Sequence, residues 1–254
     1  LLNAAELQGK ELSNLKVVIA GAGASAIACA NHYIALGVQM ENITMCDSKG
    51  IMTKKRLESG ELNEYKALFA KDIVEGDLAS ALVDADVLLG LSKGGLVDAP
   101  MVEKMAPNPI IFALANPEPE IMPNVARKAR PDAIIATGRS DFPNQVNNVL
   151  GFPYIFRGAL DVRAKDITQG MKMAATKALA ELAKEPVPED VINAYGGETL
   201  QFGKEYIIPK PFDRRVLIWE ASAVAQAAVN EGVAKLSKEE YDHEEYREEL
   251  EARL

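Results

Sequence analysis

Short apolar runs separated by longer amphipathic stretches dominate the first part of the chain. The run at residues 15–20 is rich in β-branched side chains and ends in glycine, which is typical of a buried parallel strand. Similar runs lie at residues 43–46, 86–91, 110–114 and 133–136. Helical patterns lie between them, at residues 24–36, 61–70, 77–84, 100–106 and 121–130. Strands that alternate with helices predict a doubly wound parallel α/β sheet.

The pattern changes after Gly138. Residues 139–153 form a polar stretch with prolines and asparagines, and Ala-rich amphipathic helices are predicted at 168–184 and 214–231. We place a domain boundary near residue 147. The prediction is a sheet domain over residues 1–147, a mostly helical region over 148–236 and an acidic helical tail over 237–254, which begins with a capping box of Ser237 and Glu240.

Composition narrows the class of protein. Of the 254 residues, 48% are hydrophobic and 26% are charged, which suffices for a folded core. No apolar run approaches the ~18 residues of a membrane span, and a net charge of -9 argues against a nucleic-acid partner. Two cysteines, Cys29 and Cys46, cannot form a disulfide framework and favour the cytoplasm. Because the chain begins at Leu1 without a signal peptide, we expect a piece of a longer protein.

The strongest motif is a glycine-rich turn between the first strand and the first long helix. Gly21, Gly23 and Ala26 fit G-x-G-x-x-G/A, where the glycines allow a tight turn and close approach of a pyrophosphate. The helix that begins near Ala24 directs free N–H groups at the phosphates. We therefore predict a Rossmann-type domain in which Gly21, Ala22, Gly23 and Ala24 bind a dinucleotide. The alternative is a turn that only closes a βα unit.

The end of the second strand bears on the choice of cofactor. An acidic residue here, Asp47, typically binds the ribose hydroxyls of NAD, although it is also compatible with a solvated turn. Ser48, Lys49 and the cations at residues 54–56 are instead suited to the 2′-phosphate of NADP. These residues alone leave NAD and NADP open.

Two further loops follow later strands, where an open α/β sheet binds its ligands. Asn116, before a proline, is either a cleft-facing amide or a turn former. Asn147, one of an adjacent asparagine pair at the domain boundary, is by spacing alone a loop residue. Glu118 and Glu120 form a carboxylate pair that we expect to be solvated within a proline-rich loop.

Catalytic and metal-binding patterns are missing from the predicted motifs. His32 falls within the packed helix and His243 in the acidic tail, so neither belongs to a set with metal-ligand spacing. The residues taken alone predict a dinucleotide-binding protein without an identifiable general base.

Several stretches together resemble the cofactor-binding portion of malic enzymes, in particular the bacterial type that often carries a further carboxy-terminal domain. The resemblance extends from residue 1 to about residue 235. It is carried by residues 1–4, 21–24, 46–50, 113–120, 130–133, 137–141, 143–148 and 206–211.

The resemblance implies an NAD(P)-dependent malate dehydrogenase (oxaloacetate-decarboxylating), which converts malate to pyruvate and CO₂ with Mg²⁺ or Mn²⁺. It assigns the pyrophosphate to residues 21–24 and the adenosine ribose to Asp47, Ser48 and Lys49. It places Asn116 beside nicotinamide and malate, and Asn147 beside malate. Relatives with the Asp-Ser-Lys-Gly loop lean to NADP, which we therefore expect, with NAD as the alternative.

The resemblance also implies what this chain lacks. In the family, the proton-transferring tyrosine and lysine and the acidic metal ligands precede the segment that corresponds to Leu1. We therefore expect no catalytic residue or metal ligand here, and we expect residues 148–236 to pack on an absent amino-terminal catalytic domain. A homodimer or higher homo-oligomer is also expected. The alternatives are a non-catalytic dinucleotide-sensing module and an amino-acid dehydrogenase-like domain, which would not need the Asn-Pro and Asn-Asn loops.

Overall fold

The short apolar runs form one six-stranded sheet in the computed structural model, which describes residues 1–254. Its strands are β1 (Val17–Ala20), β2 (Ile43–Asp47), β3 (Gly50–Ile51), β4 (Val87–Gly90), β5 (Ile110–Ala113) and β6 (Ile134–Thr137). The order is β3-β2-β1-β4-β5-β6, and every neighbouring pair is parallel except β2 and β3. The predicted α/β sheet is confirmed, with an antiparallel edge strand that is too short to be recognised from its pattern.

The strand order reverses at β1, and this positions the site. From β1 the chain continues to β2 on one side and later returns to β4 on the other, so that Ala20 pairs with both Cys46 and Gly90. Strands β1, β4, β5 and β6 are buried along their whole length, as expected for a parallel sheet covered on both faces. A reversal of this kind opens a crevice at the carboxyl end of β1.

The first of two compact units, Leu1–Gln145, contains the sheet and seven α-helices. They are α1 (Leu2–Leu7), α2 (Ala24–Leu36), α3 (Lys54–Glu58), α4 (Glu64–Ala67), α5 (Leu78–Ala81), α6 (Ala99–Glu103) and α7 (Pro123–Ala129), with 3₁₀ turns at Leu12–Asn14 and Met40–Asn42. The helix predicted over residues 24–36 is confirmed. Those predicted over 61–70 and 77–84 shrink to single turns, capped by Asn63 and Asp77.

The second unit, Val146–Leu254, is helical. It contains a 3₁₀ turn (Asn148–Leu150), α8 (Phe152–Asp161), α9 (Gln169–Leu182), α10 (Glu189–Ala194), α11 (Arg215–Asn230) and α12 (His243–Glu251). Helix α11 packs against α8, α9 and α12 around an Ala- and Val-rich core. Helices α8 and α10 were not predicted. No helix in the chain has the length and apolarity needed to cross a membrane.

The acidic tail differs from its predicted form. Ser237 N–H does donate to Glu240 (2.9 Å), but no helix follows directly, and α12 begins only after Asp242, whose carboxylate accepts the N–H groups of Glu244 and Glu245. One side of this helix is buried. Tyr246 and Leu250 are buried in the helical core, and the Tyr246 hydroxyl donates to Asp161.

One buried side chain of α11 has no polar partner. Glu220 is 0% exposed, and neither carboxyl oxygen makes a hydrogen bond. Burial raises the pKa of Glu220 to about 9, because the charged form loses its hydration without gaining a partner. The side chain is therefore a neutral acid at neutral pH.

We predict that Glu220→Gln stabilises the protein in a pH-dependent manner. Between the ordinary glutamate pKa of 4.5 and the folded value of about 9, the native state keeps a proton that the unfolded chain releases, so the free energy of unfolding falls as pH rises. The amide removes this dependence. The gain in the free energy of unfolding, measured by urea denaturation, should be smallest near pH 4.5 and largest near pH 9. Glu248→Gln, at an exposed position of α12, should show no such trend.

Candidate functional site

A cavity of about 450 Å³ lies at the carboxyl end of β1, where the strand order reverses. Gly21 and the loop after β2, which contains Asp47, Ser48 and Lys49, line it together with Ser92 and Lys93 after β4. The apolar side chains of Leu78, Leu96 and Met101 complete its wall. The cavity thus combines an apolar slot suited to a flat ring with polar and cationic groups suited to phosphate and ribose.

The first glycine of the motif is required by the backbone itself. Gly21 has φ +127°, and a Cβ at this position would lie 2.5 Å from the carbonyl oxygen of Leu91. Its N–H donates to the carbonyl of Cys46 (2.8 Å), which fixes the turn across β1 and β2. No larger residue fits at this position. The positive φ disfavours any side chain, and the carbonyl of Leu91, which follows β4, occupies the space that a Cβ would need.

Gly23, the second glycine of the motif, is not required by the backbone. Gly23 has φ −85°, and a Cβ there would meet no atom within 4 Å. The fold therefore does not need a glycine at this position, but a ligand that approaches the backbone does. Ala24 begins α2, and no side chain caps this helix, so its first N–H groups remain available for an anion. Ala26 is fully buried, as close packing of α2 on the sheet requires.

Asp47 is held by Arg56. The guanidinium donates to both carboxylate oxygens, Nη1 to Oδ1 at 2.9 Å and Nη2 to Oδ2 at 2.8 Å, and Oδ1 also accepts the N–H of Lys49 at 2.9 Å. Burial alone would raise the pKa of Asp47, but the hydrogen bonds from Arg56 and Lys49 hold it below its ordinary value. Asp47 is thus an ionised carboxylate whose charge is already neutralised.

The lysines near this loop pair with carboxylates other than Asp47. Lys49 is largely exposed, and its ammonium contacts Glu61 at 3.0 Å. Lys54 and Lys55 are also exposed and pair with Asp72 and Glu75. Of the basic residues considered as phosphate ligands, only Lys49 lines the cavity.

Cys46 also lines the cavity but is not a nucleophile. Burial, with a smaller contribution from the charge of Asp47, raises the pKa of its thiol to about 12. The protonated thiol adds a small apolar surface to the cavity wall.

Asn116 lies at the same edge of the sheet, beyond the cavity lining. It follows β5, is exposed and forms a cis peptide bond with Pro117. Its amide lies against the residue after β6, because a Cβ on Gly138 would be 3.0 Å from Asn116 Oδ1. Asn147 belongs to the second unit, where its Oδ1 accepts the N–H of Val149 (3.0 Å) and caps the 3₁₀ turn.

Glu120 has a structural role that was not predicted, and the expectation that it is solvated is wrong. It is fully buried, and its carboxylate accepts the N–H of Ser92 at 2.8 Å and the N–H of Ala115 at 3.0 Å. It therefore connects the loops after β4 and β5. Gly90 makes room for it, since a Cβ there would lie 2.4 Å from the carboxyl group. A glycine inside a buried strand, which often marks a close approach, was the available signal. Glu118 is exposed, as expected.

The donor set of this chain does not form a metal site. No group of three or more His, Cys, Asp or Glu side chains comes together in a geometry that could hold a metal ion. The Mg²⁺ or Mn²⁺ implied by the resemblance is therefore given no place on these residues.

Comparisons with known proteins identify the family to which the chain is similar. The model of the family "Malic enzyme, NAD binding domain" matches residues 1–193. The chain is 53% identical over 235 residues to the NADP-dependent malic enzyme of Halomonas elongata, and 50% identical over 242 residues to the NAD-dependent malic enzyme of Rhizobium meliloti. The crystal structure of malic enzyme from Pyrococcus horikoshii is similar with a TM-score of 0.84, at 39% identity over 99% of this chain.

The chain is shorter than these proteins. The matches cover 92% and 95% of this chain but only 55% of the Halomonas protein and 31% of the Rhizobium protein. The Pyrococcus structure is likewise covered over 55% of its length.

We predict that alanine has different effects at the two motif glycines. Gly21→Ala should lower the melting temperature strongly, because the new methyl group meets the Leu91 carbonyl at a positive φ. Gly23→Ala should leave the melting temperature nearly unchanged and weaken NAD(P) binding about tenfold or more, because its methyl group occupies the space that a pyrophosphate needs.

Calorimetric melting and titration with NADP test this pair of variants. Gly37→Ala, at φ +114° at the far end of α2, is the control for strain alone and should lower the melting temperature without changing the affinity for NADP. Unchanged NADP affinity in Gly23→Ala would contradict the assignment of the turn to the pyrophosphate.

Proposed function

Because the chain belongs to the malic enzyme family, with its first 193 residues in the NAD-binding domain, we propose that it binds NADP within an enzyme that converts malate to pyruvate and CO₂. The observation that carries this proposal is the Gly21 turn, which opens into a cavity of about 450 Å³ bounded by the loop of residues 47–49. This is the arrangement expected of a dinucleotide at the switch point of a parallel sheet.

The residues of this chain act by binding and orientation. The turn of residues 21–24 and the uncapped start of α2 hold the pyrophosphate, and Ser48 and Lys49 hold the adenosine ribose phosphate. Asn116, at the other end of the carboxyl edge, orients the nicotinamide and the malate, and Asn147 binds malate. When bound, the cofactor supplies the acceptor for the hydride that leaves malate.

The groups that move protons and bind metal are assigned to a part of the protein outside these residues. We propose that an amino-terminal catalytic domain supplies them, which is consistent with the greater length of the relatives. Residues 148–236 would pack on that domain, and the exposed side chains of Phe152, Phe156 and Leu160, four residues apart on α8, support this proposal. A homodimer or higher homo-oligomer and a cytoplasmic location complete the proposal, the latter supported by the free thiols of Cys29 and Cys46.

The preference for NADP over NAD rests on the loop after β2, since the relatives carry both names. A ribose-binding carboxylate at Asp47 would favour NAD, but this carboxylate already accepts two hydrogen bonds from Arg56. Lys49, which lines the cavity and has an exposed side chain, is then the cation of this loop that can contact a 2′-phosphate.

The first test is turnover. The full-length protein should form reduced nicotinamide from malate and NADP with Mg²⁺ or Mn²⁺, whereas residues 1–254 alone should bind NADP weakly and form none. Asn116→Ala should lower kcat/KM for malate about tenfold or more with little change in melting temperature, because an amide bonded to a substrate carboxylate contributes about 1.5–3 kcal/mol.

The matched control is Asn31→Ala, at an exposed position of α2, which should leave kcat/KM unchanged. Loss of melting temperature in Asn116→Ala with unaltered kcat/KM would identify Asn116 as a turn former only. A full-length protein that binds NADP but turns over no malate would instead support a non-catalytic sensing module.

The second test concerns Lys49. Lys49→Ala should weaken NADP ten- to a hundredfold, about 1.5–3 kcal/mol, and weaken NAD much less, because only NADP carries the phosphate that the ammonium contacts. The measurement is the dissociation constant of each cofactor for the full-length protein. Lys54→Ala, which removes the same charge at an exposed position, is the control. Equal losses for NADP and NAD would show that Lys49 does not contact the 2′-phosphate.

A further inference from the structure

Three consecutive basic residues in α3 have different environments. The side chains of Lys54 and Lys55 are 57% and 77% exposed, whereas that of Arg56 is 8% exposed. Thr53 caps the helix by accepting the N–H of Arg56, and this fixes the start of the helix beneath the loop after β2. Arg56 is therefore turned into the protein, while its neighbours face solvent.

Each of the three guanidinium nitrogens of Arg56 donates to a protein acceptor. Besides the two hydrogen bonds to Asp47, Nη1 donates to the carbonyls of Gly50 (3.3 Å) and Ile51 (3.2 Å), and Nε donates to Glu61 (3.3 Å). These groups lie on β2, on β3 and on the segment after α3. Arg56 thus fixes the shape of the loop that walls the cavity, and each of its nitrogens is already engaged with the protein.

The consequence for Asp47 is electrostatic. A free carboxylate at this position would accept the ribose hydroxyls of NAD and repel a 2′-phosphate, which carries about −1.5 to −2 charges. Paired with a buried guanidinium in a bidentate geometry, Asp47 carries no uncompensated charge, and both its oxygens are already engaged. The loop itself then presents Ser48 and Lys49 to the ligand without an unpaired carboxylate. The other carboxylate in the cavity lining, Asp77, caps α5 by accepting the N–H of Ser80.

Glu61 contacts both Lys49 and Arg56. One carboxylate oxygen accepts both the Lys49 ammonium (3.0 Å) and Arg56 Nε (3.3 Å). The Lys49–Glu61 pair is exposed, and such pairs contribute little to stability, so the ammonium exchanges Glu61 for a phosphate at small cost.

We propose that Arg56 is a specificity-determining positioning residue, which selects the 2′-phosphorylated dinucleotide by neutralising and immobilising Asp47 rather than by binding the phosphate. This inference rests on the proposed dinucleotide function and names the residue that sets the choice between its two cofactors.

The test is a double-mutant cycle on the full-length protein, with dissociation constants for NADP and NAD measured by titration below the melting temperature of every variant. Arg56→Gln should weaken NADP at least tenfold, about 1.4 kcal/mol, and leave NAD unchanged or tighter, because the released carboxylate repels the phosphate and accepts ribose hydroxyls. Asp47→Asn should bind NADP at least as tightly as the wild type. The double variant should recover most of the NADP affinity that Arg56→Gln loses.

The control is Lys55→Gln, which removes the same unit of charge at the adjacent exposed position and should leave the ratio of the two dissociation constants unchanged. A purely structural role for Arg56 predicts equal losses for both cofactors, and this result would overturn the inference, as would a wild type that prefers NAD. If Arg56→Gln does not fold, Asp47→Asn still decides, since a selective loss of NADP in that variant contradicts the proposal. Absence of binding of either cofactor to the wild type would refute the proposed function itself.

Discussion

The site depends on the reversal of strand order at β1. Because β2 and β4 flank β1 on opposite sides, the chain that leaves β1 must turn sharply between them, and Gly21 lies so close to the Leu91 carbonyl that no side chain fits. The cavity lies at that turn, and α2 begins directly after it without a side-chain cap. Glu120 stabilises the carboxyl edge of the sheet, because its buried carboxylate accepts N–H groups from the loops after β4 and β5. A binding edge made of loops is thereby held by buried contacts.

Charge at this edge is arranged in pairs. Asp47 is neutralised by Arg56, and the Lys49 ammonium is shared with Glu61, so that the acidic chain presents a cavity wall without a free carboxylate on the loop after β2. The two pairs differ in burial, and hence in strength. The Asp47–Arg56 pair is largely buried and bidentate, and breaking it leaves an uncompensated charge. The exposed pair exchanges partners readily. The loop after β2 therefore takes part in one fixed ion pair, through Asp47, and in one ion pair that can exchange its partner, through Lys49.

Features that depend on local interactions were predicted from the sequence, whereas features that depend on specific side-chain partners were missed. Five of the six strands, helix α2 and the glycine turn depend on local periodicity and backbone conformation, and they were predicted. The burial of Glu120 and the anchoring of α12 by Tyr246 depend on partners far along the chain, Ser92 and Asp161. Arg56 turns inward onto Asp47 and Glu61, which lie within nine residues of it, but the basic run does not show which of its three cations does so. Their local contexts, a proline-rich loop, a basic run and an acidic tail, are typical of solvated segments. The residue types around such a position therefore do not predict which side chains it contacts in the folded protein.

The strand order also separates the two ends of the proposed ligand. Asp47 ends β2 and Asn116 follows β5, so that β1 and β4 lie between them, and three strand spacings of about 4.8 Å put them roughly 14 Å apart. Each end has its own support, Arg56 at one and Glu120 at the other, with no shared partner. Substitutions at sites so separated act additively on binding free energy. The choice of cofactor at the adenosine end is therefore free to change without disturbing the groups at the substrate end, because the sheet couples their positions but not their charges.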